Sequence, residues 1–427
     1  MKYLLDTASY LFVFGITLST LTWIRIYSFN NINIGYSHLF LLVFNILLIV
    51  FALNRPPKIS RKIKNFLFVS VILILFLSVL FLFSQLTLRN FLRPTAYFIN
   101  AINFSILVFY SSERLRKLFV LLPFMISLIF VGAIVYASTY TGLNTFQLIF
   151  ESLSKGDSSI LLFGVLGRLL SSSAFNTELE FIQINLRHEV SSLLLFSLYL
   201  SLTFFSQYRS YVFKSLANIG LIFTLTLLVI LLSRAVLLAL VMTTLHLMSV
   251  SREFRRKYLS TFVIFLSSLI PLFSRILYSR FFLDTQSYSE RGERLDGTLN
   301  LLYENPFFPS DQSQSIAVGD SHMWFFELWK LGGLSGFIIS FLFLLYLIYF
   351  LFMSYSIYSK LTSGYSNYIF AFLALWLPVI RIFTAGSALG LNEWLCIGLF
   401  IGVFNLIDDT FGKQYNIFRV GKQDQLS

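Results

Sequence analysis

The chain has 427 residues, of which 57% are hydrophobic and only 12% charged, with 50 phenylalanines and a mean hydropathy of +0.77. A soluble domain carries roughly 25% charged residues, so this chain holds about half the charge needed to coat a water-soluble globule. Apolar runs recur along its whole length at the ~20-residue span that a ~30 Å hydrocarbon layer requires of a helix, and they are continuous rather than alternating, which excludes a β-barrel. The expected fold is all-α and polytopic. A net charge of +12 would point to nucleic acid in a soluble chain. In a polytopic one it reflects loops held on the cytoplasmic side, and no nucleic-acid partner is expected. The single cysteine, Cys396, lies in an apolar run, so no disulfide or thiolate metal site can form within one chain.

Twelve spans are expected, at residues 5–24, 37–53, 66–86, 95–112, 118–137, 189–206, 216–233, 235–250, 259–274, 334–354, 367–384 and 391–407. No cleavage pattern of small residues follows the first apolar run, which reads as a first span. Residues 1–137 form a five-span N-terminal bundle and 138–188 an external loop. Residues 189–274 hold four spans with a Ser-Arg hairpin, 275–333 form a larger external loop, and 334–427 carry three spans and a cytoplasmic tail. All belong to one membrane domain, with short amphipathic helices expected in the two large loops.

Orientation follows from the basic residues. With the N-terminus inside, the cytoplasmic segments hold 19 of the 32 Lys and Arg, whereas the short external connections hold only Arg25, Arg89, Arg93, Arg234 and Arg381. Short loops rich in Lys and Arg stay inside, so both termini are expected in the cytoplasm. No soluble domain remains, and any chemistry must sit on the outer face against the two large loops.

Eleven of the 13 external basic residues are arginine. Topology needs only charge, but arginine adds a planar fork that grips phosphate oxygens in pairs. A diphosphate ligand at the outer surface would account for the bias; snorkelling to headgroups or pairing with external acids is the plainer alternative for any one of them. Arg234, in Ser233-Arg234 between two apolar runs, marks a tight hairpin, and an arginine at that depth needs a partner or a function. Anchoring a short turn at the interface is the alternative there.

In the second loop, Leu295, Leu299 and Leu302 recur at helical spacing and Asn305-Pro306 is a stop, which predicts an amphipathic helix on the membrane surface. Arg291 and Arg294, three apart, share a face of it and could clamp one diphosphate; pairing of Glu290, Glu293 and Arg294 among themselves is the alternative. Further on, Asp320 or Ser321 reads as a helix N-cap, placing His322 in a first turn with Phe325, Phe326 and Trp329 on the buried side. The positive end of a helix keeps imidazole neutral, the form a general base requires. Gly332, Gly333 and Gly336 are expected to let the loop pack closely on the next span, and His246, inside a span, is expected to be structural. No metal site, and no phosphate-binding glycine loop, is visible in the sequence.

The ordered set Ser233-Arg234, Arg291, Asn305-Pro306, His322 and Gly333-x-x-Gly336 resembles the bacterial O-antigen polymerase and O-antigen ligase superfamily, over roughly residues 160–340. Gly167-Arg168 resembles a further element. The chain departs from the family pattern where Phe307-Phe308-Pro309-Ser310 replaces a Gly-x-Gly and Met323 replaces an asparagine. The resemblance implies a glycosyltransferase of the bacterial plasma membrane that moves glycan from undecaprenyl diphosphate to an acceptor hydroxyl, with no cofactor or metal. His322 would be the catalytic base; Arg234, Arg291, Arg294 and Arg168 would hold the diphosphate, with Arg187, Arg381 and Asp320 as secondary site residues. The expected partners are the lipid-linked glycan, membrane lipids, a flippase and chain-length regulators. Polymerase is preferred to ligase, and a lipid-linked-saccharide flippase or exporter is the alternative from another class; against it, few charges lie mid-span and 110 residues lie in the two outer loops.

Overall fold

The computed structural model describes residues 2–19, 25–29, 32–83, 86, 88–141, 179–207, 210–231, 233–252, 254–256, 285–310, 318, 323–358, 361, 366–384 and 389–423. The helices are α1 (Lys2–Leu18), α2 (Tyr36–Asn54), α3 (Arg61–Leu82), α4 (Leu88–Phe109), α5 (Glu113–Thr141), α6 (Leu179–Phe204), α7 (Tyr211–Leu231) and α8 (Arg234–Val250). They continue as α9 (Thr285–Glu304), α10 (Trp324–Tyr358), α11 (Ile369–Leu373), α12 (Trp376–Thr384) and α13 (Leu391–Gln423). One antiparallel hairpin, β1 (Arg25–Phe29) with β2 (Ile32–Gly35), interrupts them. Among the described residues the expected all-helical chain thus carries one short antiparallel ribbon.

Among the described residues seven helical stretches are long and apolar enough to cross a membrane: Tyr36–Asn54, Arg61–Leu82, Glu113–Gly132, Tyr211–Leu228, Trp324–Tyr358, Ser366–Thr384 and Leu391–Thr410. The apolar helices Tyr3–Leu18, Glu189–Phe204 and Ala235–Val250 are shorter. Among the described residues the expected count of twelve is not reached. The expected span 259–274 lies outside the described residues, and α4 is diluted by Arg89, Asn90, Arg93, Asn100 and Asn103.

Several boundaries move. Helix α6 begins at Leu179, inside the expected loop 138–188, and α13 runs to Gln423, so the expected tail continues a helix. The expected span 367–384 is broken after Leu373, because Pro378 has no N–H to give the carbonyl of Ala374, and Leu377 N–H turns to that carbonyl at 3.1 Å instead.

Burying a phenylalanine from water contributes about 1.5–3 kcal/mol, but lipid is as apolar as another helix, so helix pairing is decided by close approach and polar contacts. Helix α13 meets α4 through Gly398 and Gly402, where an added Cβ would lie 2.5 Å from Ala101 O and 2.7 Å from Ser105 O. Asn45 of α2 bonds Asn100 and Asn103 of α4 at 2.9 and 2.8 Å. Ser127 with Thr224 joins α5 to α7 at 3.0 Å, and Tyr199 with Thr243 joins α6 to α8 at 2.6 Å. Two aromatic clusters fill the interior, one around Phe12, Phe104, Phe119 and Phe196, the other around Phe66, Phe343, Phe350 and Phe400. Large apolar side chains are left facing outward along α2, α3, α7 and α10, as lipid contact requires.

Candidate functional site

The starts of α4, α8, α10 and α13 share one end of the bundle. Trp394 rests on Phe343, and Phe400 on Phe350, so α10 and α13 run parallel; the glycine contacts make α4 parallel to α13. His246 meets Ser354 and Ser251 meets Tyr358, which sets α8 parallel to α10. This is the end expected to face outside; of the sequence-predicted site residues, Arg234 opens α8 there and Arg381 lies against Glu393 near the start of α13.

Helix α7 ends at Leu231 and α8 begins at Arg234, the tight hairpin anticipated from the sequence. Ser233 is buried and caps α8 through its carbonyl, which accepts Leu237 N–H at 2.9 Å. Arg234 is therefore the first residue of a helix, where unpaired N–H groups already favour an anion. Its side chain is outside the described set.

Helix α9 carries both Arg291 and Arg294 and stops at Glu304, before Asn305-Pro306, as expected. Among its described side chains Thr298, Leu301 and Leu302 are buried and Leu295 is half-buried, while Leu299 is exposed, so the predicted leucine stripe packs at Leu302 but not at Leu299. Arg294 is exposed; only the backbone of Arg291 is described.

The turn after α9 is clasped onto the mouth of α10. Trp329 Nε1 donates to Pro306 O at 2.8 Å, Leu334 N to Phe307 O at 3.3 Å and Ser310 N to Lys330 O at 2.9 Å. Gly333 makes this possible: its φ of 62° and ψ of −156° break α10 there, and a Cβ at this position would strike the Phe307 carbonyl. Gly336 lets the second segment approach the backbone of Leu328, and Gly332 leaves room for the Phe76 ring. The close packing expected of these glycines is present. The first segment of α10 differs from expectation: it starts at Trp324, with Met323 O accepting Glu327 N–H, later than a cap at Asp320 or Ser321 would place it. It buries Trp324, Leu328 and Lys330, whereas Phe325, Phe326 and Trp329 are only half-buried. Lys330 is compensated by Glu327 at 3.0 Å.

Arg381 of α12 meets Glu393 of α13 at 3.1 Å, and Ser192 of α6 donates to the same carboxylate oxygen at 3.0 Å. The Arg381 contact is electrostatic rather than directed, because its Nε–H is not aimed at the oxygen. Asn392 Nδ2 bonds Glu189 O, which brings this cluster to the level of α6 two residues after Arg187, whose side chain is not described. Since Trp394 sits beside Phe343, the pair lies about 15 Å along α10 from Gly333, at roughly 1.5 Å per residue. Arg381 is thus recessed from the clasp with its charge matched. Sequence reading missed Glu393 and Ser192; the available signal was the rule that a charge in an apolar segment needs an opposite partner, here across one short connection.

His246 is held as the structural reading expected. Trp376 Nε1 can only donate, so His246 Nδ1 accepts at 3.1 Å, and Nε2 carries the hydrogen toward Ser354 Oγ at 2.8 Å. Both ring nitrogens are in use. His322, Asp320 and Arg168 lie outside the described residues. Among the described residues no group of three His, Cys, Asp or Glu is placed to hold a metal.

Fold and composition together define a helical membrane protein with a glycine-clasped loop at one end. No known family's model matches the chain, and no curated protein matches it either.

Proposed function

We propose that the protein is a glycosyltransferase of the bacterial plasma membrane that polymerises undecaprenyl-diphosphate-linked oligosaccharide into surface polysaccharide at the outer face. On this reading twelve spans place both termini in the cytoplasm. What supports the reading is that Arg234 opens α8 at the end of the bundle where α10 also starts, and that α9, which carries Arg291 and Arg294, leads into the turn clasped by Gly333. Arginine forks and a helix N-terminus are the groups that stabilise a departing diphosphate without a divalent ion. The acceptor hydroxyl oxygen attacks the anomeric carbon as the bond to the diphosphate oxygen breaks. The hydroxyl proton goes to His322, and undecaprenyl diphosphate leaves with its electron pair stabilised by Arg234, Arg291 and Arg294. Arg168 supports them, whereas the compensated Arg381 contributes less.

Deleting the gene and resolving surface polysaccharide on a gel tests the proposal. Single-repeat material on the surface is expected. Unattached full-length polymer would instead mark a ligase, and absence of exported glycan a flippase.

A further inference from the structure

The clasped turn displays apolar side chains that the proposed reaction does not use. Tyr303 is 90% exposed, Phe308 73% and Phe307 67%, and Leu299, one helical turn before Tyr303, is exposed as well. Leu299 and Tyr303 are four residues apart on α9 and share a face; the two phenylalanines follow on the turn. The turn is rigid, because three hydrogen bonds tie its residues 306, 307 and 310 to residues 329, 334 and 330 of α10. Rings held out on a fixed backbone lose little entropy on finding a partner.

Their position selects the partner. Phe307 O accepts from Leu334, at the head of the apolar part of α10, and one turn further along begins its outward-facing stripe of Ile338, Phe341, Leu342 and Leu345. The exposed edge is therefore tied to α10 one turn before that apolar stripe begins. Aromatic residues concentrate at that level because their rings suit the headgroup layer. The rest of α9 is polar where exposed, at Glu293, Arg294, Asp296 and Asn300, so the apolar edge is one border of the helix.

We propose that Leu299, Tyr303, Phe307 and Phe308 form an interfacial anchor that seats α9 and its turn in the headgroup layer of the bilayer. The anchor fixes the depth of the helix that carries Arg294, at the level where lipid phosphates hold their charge. It stands independently of the reaction proposed above.

Site-directed fluorescence tests it on the full chain in vesicles of phosphatidylethanolamine and phosphatidylglycerol. An environment-sensitive dye is attached in Phe308→Cys, with Tyr303→Cys as a second probe should the first variant fold poorly and Asp296→Cys as the aqueous reference; Cys396 is buried and gives the unlabelled background. Dyes at 308 and 303 should be blue-shifted, quenched by lipids bearing a nitroxide high on the acyl chain, and shielded from iodide, while the dye at 296 is quenched by iodide. Adding Phe307→Ser and Phe308→Ser should return the dye at 303 to water. Iodide quenching at 308 and 303 equal to that at 296 would overturn the proposal, and protection from iodide by soluble saccharide alone would make the edge a sugar platform instead. Retained lipid quenching at 303 in the double serine variant would equally overturn it.

Discussion

Gly333→Ala perturbs the clasp at its hinge. The backbone at φ 62° and ψ −156° is a region closed to side-chain-bearing residues, and holding alanine there costs on the order of 1–3 kcal/mol. The new Cβ also meets the Phe307 carbonyl, so the Leu334 N to Phe307 O hydrogen bond must break, at about 1 kcal/mol. Together these make about 3 kcal/mol against the closed turn, equivalent to about a hundredfold rise in its open population. The rest of α10 is anchored by Phe343, Leu347 and Phe350 in the interior and should stay folded. Hydrogen exchange read by mass spectrometry on protein in nanodiscs should show residues 306–310 and 330–334 exchanging faster by about that factor, with the peptides of α4 and α13 unchanged. Gly132→Ala is the control, since nothing lies within 4 Å of a Cβ there. Unchanged protection of 306–310 in Gly333→Ala would refute the view that this glycine holds the loop.

Glu393→Ala strands Arg381 in an apolar recess and should lower thermal stability in detergent by an amount approaching the roughly 3–5 kcal/mol of a broken buried pair, while Glu393→Gln combined with Arg381→Gln should recover much of it; equal melting of wild type and Glu393→Ala would count against the pair. Gly398→Leu should drive α13 away from Ala101 and yield aggregated protein on size exclusion, and a monodisperse variant would contradict the close packing of α4 and α13. His246→Ala should lower stability by breaking contacts to Trp376 and Ser354, yet leave the pH profile of glycan extension unchanged; a shifted profile would give this histidine a chemical role. Arg234→Lys and Arg291→Lys should severely impair extension if the fork matters rather than the charge, and full activity in both would return them to anchoring.

The apolar runs were legible because lipid imposes a length that a chain meets only by continuous apolar sequence. Their ends were not, because hydropathy stops at the first charge while a helix does not. Helix α6 extends back through Arg187, His188 and Glu189 to Leu179, and α13 runs on past Asp408 and Asp409 to Gln423. The ribbon of Arg25–Phe29 with Ile32–Gly35 falls in the short connection expected between the first two spans, where its alternation covers too few residues to signal strands. At the site, Ser233-Arg234 and the glycines of α10 were readable, since a hairpin and a close approach each demand particular residues. The burial pattern of α9 was only partly so: Leu302 of the leucine stripe is buried, but Leu299 is exposed, and Thr298 and Leu301 pack beside Leu302. The Arg381–Glu393–Ser192 cluster joins three helices distant in sequence, and only packing decides such a meeting.

The most direct measurement is made on purified protein in vesicles given undecaprenyl-diphosphate-linked repeat units extracted from its own host, following glycan length and released lipid together. The proposed chemistry requires one undecaprenyl diphosphate freed for every new glycosidic bond, with both abolished in His322→Ala. Movement of intact lipid-linked glycan across the bilayer with no bond formed would contradict it.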